Sequence, residues 1–275
     1  MKDLYVIKAS GERELYSETK IKEAISRAQV PLEYHERVLS DLKTHLYENI
    51  PTSEIYNLIS QFLIKSYPVG EIRFRLKKAI MELGPTGYPF EVFIGHLLKE
   101  YGYQTEVGIE MPGSCVNHEV DVLAKKDNRV YFVECKYHNQ QGVRSDIKVV
   151  LYVHARGEDL MAKLPNDKVY GTWIFTNTKF STDAIAYAEC KKMRLTGWSY
   201  PQKKDSLQTM IETKNLYPIT VLHSLTTEHR RRLLLENIVL VKELVASPNV
   251  YRRLDMGRET LEKFKNECRQ LGCDQ

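Results

Sequence analysis

The chain reads as a multi-domain α/β protein in three successive segments, on three observations. It opens with two short apolar runs bent around a glycine, after which only helical periodicity follows. A Gly-Pro-x-Gly-x-Pro stretch at residues 84–89 then punctuates the chain. Beyond it, apolar runs alternate with helical patterns, as in a mixed sheet flanked by helices, before a purely helical tail. The segments are 1–84, 85–203 and 204–275.

In the first segment, residues 4–8 and 14–16 pair as a hairpin whose bend is residues 9–12, with Gly11 in the turn. Ser17 caps a helix carrying Ile21 and Ile25. After Pro31 a helix runs through residues 35–49, and Pro51-Thr52-Ser53-Glu54 starts another with Ile55, Leu58, Ile59 and Phe62 on its apolar face. A last helix over 69–83 ends at Gly84-Pro85.

The second segment begins with a helix over 91–101 and a strand over 104–111, and turns at Pro112-Gly113-Ser114. Residues 118–123 and 130–136 form a hairpin, and a polar loop covers 137–143. A helix over 145–164 follows with Ser145 as its cap, then a buried strand at 170–176, a helix at 182–193 and a strand at 195–200. In the third segment helices start at Ser206, at Thr226/Thr227 and at about residue 242, with residues 217–222 as a connector.

The chemistry concentrates where the second-segment hairpin ends. Successive strand residues face opposite ways, so Glu134 and Lys136 share a face and Cys135 takes the other. The hairpin brings Asp121 to the same spot. Two carboxylates and an ammonium at the ends of apolar runs repel and desolvate one another unless something uses them. A divalent cation held by hard oxygens, with a lysine to orient or deprotonate a water, is such a use. The plainer reading is a structural Glu–Lys pair, worth about 0–1 kcal/mol at a surface. Glu91 is either a further ligand or a carboxylate favoured at a helix start. Arg144, Lys148 and Arg156 are candidates to hold phosphates, contacts that position DNA without reading it. His118 is a phosphate contact or a plain strand residue, and Arg230-Arg231-Arg232 is a DNA-facing run or a solvated helix face.

Asp121 and Glu134-Cys135-Lys136, on strands joined by a short turn, resemble the PD-(D/E)xK nuclease superfamily and within it the Mrr-like restriction endonucleases. Pro89-Phe90-Glu91-Val92-Phe93 and residues 176–188 extend the resemblance, which covers about 85–203. It implies a metal-dependent deoxyribonuclease that hydrolyses phosphodiester bonds. Asp121, Glu134 and the main-chain carbonyl of Cys135 would hold Mg²⁺ or Mn²⁺, with Glu91 as helper, and Lys136 would act on the attacking water. A family glutamine after the Glu-x-Lys strand corresponds to Gln140 or Gln141, with Gln141 placed beside Arg144 and Lys148 as DNA contacts.

Val6-Ile7-Lys8, Gly11, Tyr16 and Lys20-Ile21 resemble the ATP-cone, a nucleotide-sensing module. That resemblance implies ATP or dATP as an effector, with Lys8 and Lys20 on phosphates, Val6 and Ile7 beside the base, and Arg73 from the late helix. Ala9 departs from the pattern, which usually has a second basic residue there. Otherwise Lys8 and Lys20 are solvated charges, the cheapest place for a lysine. The tail around residues 218–239 loosely resembles helix-hairpin-helix repeats but lacks their usual glycine.

A net charge of +4 permits nucleic-acid binding without requiring it. No apolar run approaches the roughly 20 residues that span a bilayer, and five cysteines without a Cys-x-x-Cys pair suggest reduced thiols, so a cytoplasmic protein is expected. No phosphate-binding Gly-x-x-x-x-Gly-Lys loop, Gly-x-Ser-x-Gly elbow or His-Glu-x-x-His helix occurs, which removes support for a translocating motor, an esterase or a zinc protease. The expected function is an ATP- or dATP-responsive DNA endonuclease, as a homodimer if it breaks both strands. The alternative is a nucleotide-responsive DNA-binding regulator that does not cut.

Overall fold

The computed structural model describes residues 4–140, 142–165, 168–202 and 205–273, so Gln141 lies outside the described residues. The first unit starts with β1 (Tyr5–Ile7) and β2 (Arg13–Leu15), an antiparallel pair turned by Gly11 at φ +80°. Helix α1 (Glu18–Arg27) begins where the Ser17 hydroxyl accepts from the Lys20 N–H. Then come α2 (Leu32–Lys43), β3 (Ile50–Pro51) and α3 (Thr52–Ser66). The helix expected over 35–49 stops at Lys43, because the chain turns through left-handed Asn49 to lay Ile50 and Pro51 parallel on β1. Val6, Ile25, Val38, Leu42, Ile50, Ile59 and Leu63 form the core of this unit.

The helix expected over 69–83 is divided into α4 (Pro68–Phe74) and α5 (Leu76–Met81). The division falls at Arg75, whose buried guanidinium donates to His223 (2.8 Å) and to Glu82 (3.3 Å). As a result Leu76, Ala79, Ile80 and Leu83 do not pack in the first core. They join the core of the central sheet.

That sheet follows α6 (Tyr88–Glu100) and contains β4 (Gln104–Pro112), β5 (Asn117–Lys126) and β6 (Arg129–Lys136). After β7 (Arg144–Ser145) come α7 (Ile147–Ala162), β8 (Val169–Thr176), β9 (Lys179–Phe180), α8 (Thr182–Cys190) and β10 (Arg194–Thr196). Five strands run in the order β10-β8-β6-β5-β4, parallel from β10 to β6 and antiparallel from β6 to β4. Helix α6 covers one face with Phe90, Phe93 and Leu97, while α7 and α8 cover the other. Ser145 does not cap α7 as expected. It sits in β7, paired with β9, and the Asp146 carboxylate caps the helix.

The tail contains α9 (Leu207–Lys214), a 3-10 turn (Ile219–Val221), α10 (Thr227–Leu235), α11 (Val241–Ala246), α12 (Pro248–Arg252) and α13 (Arg258–Gln270). Its buried residues continue the core of the sheet and α5. A polar knot locks it there: His223 contacts the buried Glu71 (2.6 Å) and Arg75, and Arg230 meets Glu82 (3.5 Å). Among the described residues no helix is long and apolar enough to cross a membrane.

Candidate active site and nucleotide cavity

Strands β5 and β6 are bridged only as far as the Val122–Val133 pair. One step further the register sets Asp121 opposite Glu134, and there a side chain takes over: the Cys135 N–H donates to Asp121 Oδ2 at 2.6 Å. The same point is a break in the strand's alternation. Val122 and Ala124 pack on the α6 side, whereas Val120 packs with Leu123 and Leu160 on the α7 side. Opposite Asp121, between the Val107–Val122 and Ile109–Val120 bridges, β4 carries Gly108 at φ +63°, a conformation open to glycine at little cost. Asp121 thus meets Glu134 within the sheet, where the β5–β6 ladder stops.

Burial, and then the charge of Glu134, pushes the Asp121 carboxyl up to about 6. Glu91, in the first turn of α6, is pushed up to about 7 by burial and by Asp121, Glu119 and Glu134. The cluster thus holds protons into the neutral range. Its internal counter-charge is Arg156, only 8% exposed, which forms an ion pair with Glu134 and donates to the Glu119 carbonyl at 3.0 Å. Arg156, expected to face phosphate, is therefore an interior residue bound to a carboxylate of the candidate site.

Lys136 is exposed at the strand end, and its carbonyl accepts from the Thr176 hydroxyl (2.8 Å). The Cys135 carbonyl accepts from the Tyr137 N–H (3.2 Å). Arg144 and Lys148 are exposed at the opening of α7. His118 is engaged by Asp159 (2.7 Å), whose carboxyl the His118 and Cys115 bonds hold down near 2; it is a structural link from β5 to α7. In the basic run, Arg231 and Arg232 pair with Glu228, and Arg230 turns in to the Leu222 carbonyl (2.8 Å).

Among the described residues, no three His, Cys, Asp or Glu side chains stand close enough to grip a metal as they are. The donor chemistry nonetheless fits a hard divalent cation: carboxylates that raise one another's proton affinity are relieved by a cation. One Glu134 oxygen is engaged by Arg156, which leaves the other for that purpose.

In the first unit, Val6, Lys8, Lys20 and Arg73 line one cavity of about 370 Å³. Ile7, between Val6 and Lys8 on β1, faces away by alternation and is not part of its wall. Lys8 and Lys20 both pair with Glu14 of β2, a residue the sequence reading passed over.

Residues 4–77 match the ATP cone domain, and residues 84–197 match the restriction endonuclease domain of the Mrr catalytic type. The chain is thus an ATP-cone domain joined to a restriction-endonuclease-like domain. Residues 217–272 match the AF1548-like C-terminal domain. An uncharacterized protein of Archaeoglobus fulgidus is 42% identical over 129 residues, spanning 47% of this chain and 71% of that protein. The solved structure of AF1548, a protein of unknown function, is 33% identical, with a TM-score of 0.58 over 68% of this chain and 99% of that one. This chain belongs to the AF1548-like family. The MspJI restriction endonuclease bound to a 27-mer oligonucleotide lies further off, at 12% identity and a TM-score of 0.33 over 60% of this chain and 32% of that one.

Proposed function

We propose that this protein is a divalent-metal-dependent DNA endonuclease that hydrolyses phosphodiester bonds and responds to ATP or dATP. The observation that carries the reading is the placement of Asp121 across from Glu134, tied to the Cys135 N–H, with Lys136 on the Glu134 face of the strand end. Asp121, Glu134 and the Cys135 carbonyl would hold Mg²⁺ or Mn²⁺, with Glu91 as a further carboxylate. When bound, the cation supplies Lewis acidity at a phosphoryl oxygen and lowers the pKa of a water. Lys136, exposed beside the carboxylates, orients the attacking water and offsets charge on the phosphate. Arg144, Lys148 and Gln141 would meet the DNA backbone on either side. Lys8, Lys20 and Arg73 would take the nucleotide phosphates, with Val6 against the base. DNA and adenine nucleotides share the cytoplasm, the compartment this reading requires, and a double-strand break calls for a homodimer.

The Arg156–Glu134 pair favours a second reading, a nucleotide-responsive regulator that grips DNA without cutting it. Cleavage of plasmid DNA with Mg²⁺ or Mn²⁺ by the native chain, Asp121→Ala and Lys136→Ala separates the two. Cutting by the native chain alone supports the nuclease. Equal cutting by all three removes these residues from the chemistry, and binding without cutting by any of them leaves the regulator.

A further inference from the structure

The cavity that gathers Lys8, Lys20 and Arg73 is not built by the first unit alone. Its wall includes Trp198, two residues beyond β10, and Gln208 at the start of α9. Lys77 of α5 lines the same space, 6.0 Å from the centre of the Trp198 ring. The cations Lys8, Lys20, Arg27, Arg73 and Lys77 line it against Glu14, the one carboxylate of its lining among the described residues. Burial, followed by the charges of Lys179 and Arg27, pushes the Lys77 pKa down. Tyr16, Tyr56, Phe74 and Trp198 supply aromatic surface. Five cations against one carboxylate, in a cavity lined with aromatic rings, suit a polyanionic occupant with a flat ring.

We propose that this cavity is a two-domain site for a nucleoside triphosphate, in which Lys77 and Trp198 contact the ligand and transmit its presence to the end of β6. This rests on the reading that Lys136 serves phosphodiester hydrolysis and that the cone takes a nucleotide. Two connections run from the wall to Lys136. Met81, one helical turn after Lys77 on α5, accepts at its carbonyl from the Tyr137 hydroxyl (2.5 Å), and Tyr137 directly follows Lys136. The main-chain N–H of Trp198 donates to the Thr178 carbonyl (2.9 Å), the main-chain N–H of Thr178 to the Thr176 hydroxyl (3.3 Å), and that hydroxyl to the Lys136 carbonyl (2.8 Å). A ligand that fixes α5 and Trp198 favours one placement of the strand end. It shifts activity only as far as it binds the two placements unequally, and DNA then changes nucleotide affinity by the same factor.

The test uses the full chain and ATP. Calorimetry and intrinsic fluorescence are recorded for the native protein, Trp198→Phe, Lys77→Ala and Tyr137→Phe, with thermal melts confirming that each is folded. The chain has two tryptophans, Trp173 and Trp198, so Trp198→Phe isolates the signal of the wall residue. ATP is expected to change the fluorescence of the native chain but not of Trp198→Phe, and to bind Lys77→Ala about 10-fold more weakly. Tyr137→Phe is expected to bind ATP as the native chain does, while its cleavage rate no longer responds to ATP. ATP binding unaltered in Lys77→Ala without a Trp198 signal would confine the site to the first unit and overturn the proposal alone. A full ATP response in Tyr137→Phe would overturn the connection through α5. Failure of the native chain to bind ATP overturns both the proposal and the nucleotide reading. If no DNA is cut, the binding measurements still decide whether the site spans two domains.

Discussion

The two candidate sites are charged in opposite senses, and each holds an inner counter-ion paired with its charged residues. In the cone, lysines and arginines surround Glu14; within the sheet, Arg156 pairs with Glu134 beside a cluster that also holds Glu91, Glu119 and Asp121. The two inner counter-ions differ in how they are held. The Glu14 side chain is 24% exposed on a hairpin strand and is held by ion pairs to Lys8 and Lys20, which a phosphate could replace. Arg156 is buried and has a second bond to the Glu119 carbonyl. On the proposed reading Glu14 would be a placeholder for a ligand, whereas Arg156 is built into its site.

Removing the charge that each ligand would meet tests this contrast most severely. Asp121→Ala is expected to abolish cleavage, a larger loss than the roughly 10–100-fold seen when only a supporting group is removed, while retaining DNA affinity in a mobility-shift assay. Arg156→Ala strips a buried counter-ion and leaves carboxylates facing one another. It should destabilise the fold by about 3–5 kcal/mol in denaturant titration, with partial recovery on adding Mg²⁺ or Mn²⁺. Lys8→Ala/Lys20→Ala should weaken ATP binding about 10- to 100-fold in the full chain. Glu14→Gln should do the reverse, tightening ATP several-fold while changing stability by less than about 1 kcal/mol, because the pairs it removes are partly exposed. Loss of ATP binding in Glu14→Gln would contradict its role as placeholder.

The smallest effect is a pH dependence. Asp121 (about 6 against an ordinary 3.8) and Glu91 (about 7 against 4.5) keep protons in the folded state that the unfolded chain has released. For such groups stability is greatest below the unfolded values of 3.8 and 4.5, and it declines as pH rises from there until the folded values of about 6 and about 7 are passed. Without a divalent cation the melting temperature should fall across that interval, and Mg²⁺ should flatten the slope. A slope unchanged in Asp121→Asn with Glu91→Gln would assign it to other groups.

The sequence made the outward-ending strands plain. Asp121, Glu134 and Lys136 stand where apolar runs stop, and strand alternation fixes their faces without tertiary information. The break at Gly108 was not legible, since one glycine in a strand does not state its φ. Arg156 was legible in principle: with Val153 and Leu160 at helical spacing it occupies the buried stripe of α7, and a charge there signals an interior partner. β3 was hidden because two residues before a helix form a strand only when β1 is there to receive them. The split of α4 from α5 falls at Arg75, which bonds to His223 far along the chain, a partner that no local pattern announces.

That split has a consequence for how the molecule can be cut and recombined. The sequence border of the cone falls at residue 77, inside α5, yet Leu76, Ile80 and Leu83 are buried with Phe90, Phe93 and Tyr217. Each large apolar side chain so buried is worth about 1.5–3 kcal/mol. A cone excised at its family border would bare Leu76 and deprive its neighbour of the rest of α5. Grafted onto another enzyme, it would arrive without the helix that anchors it. Inheritance and architecture thus draw the line in different places. The cone is fastened to the nuclease-like domain by a shared beam rather than a tether, so on the proposed reading a bound nucleotide would act through strain within a common frame rather than by swinging on a hinge.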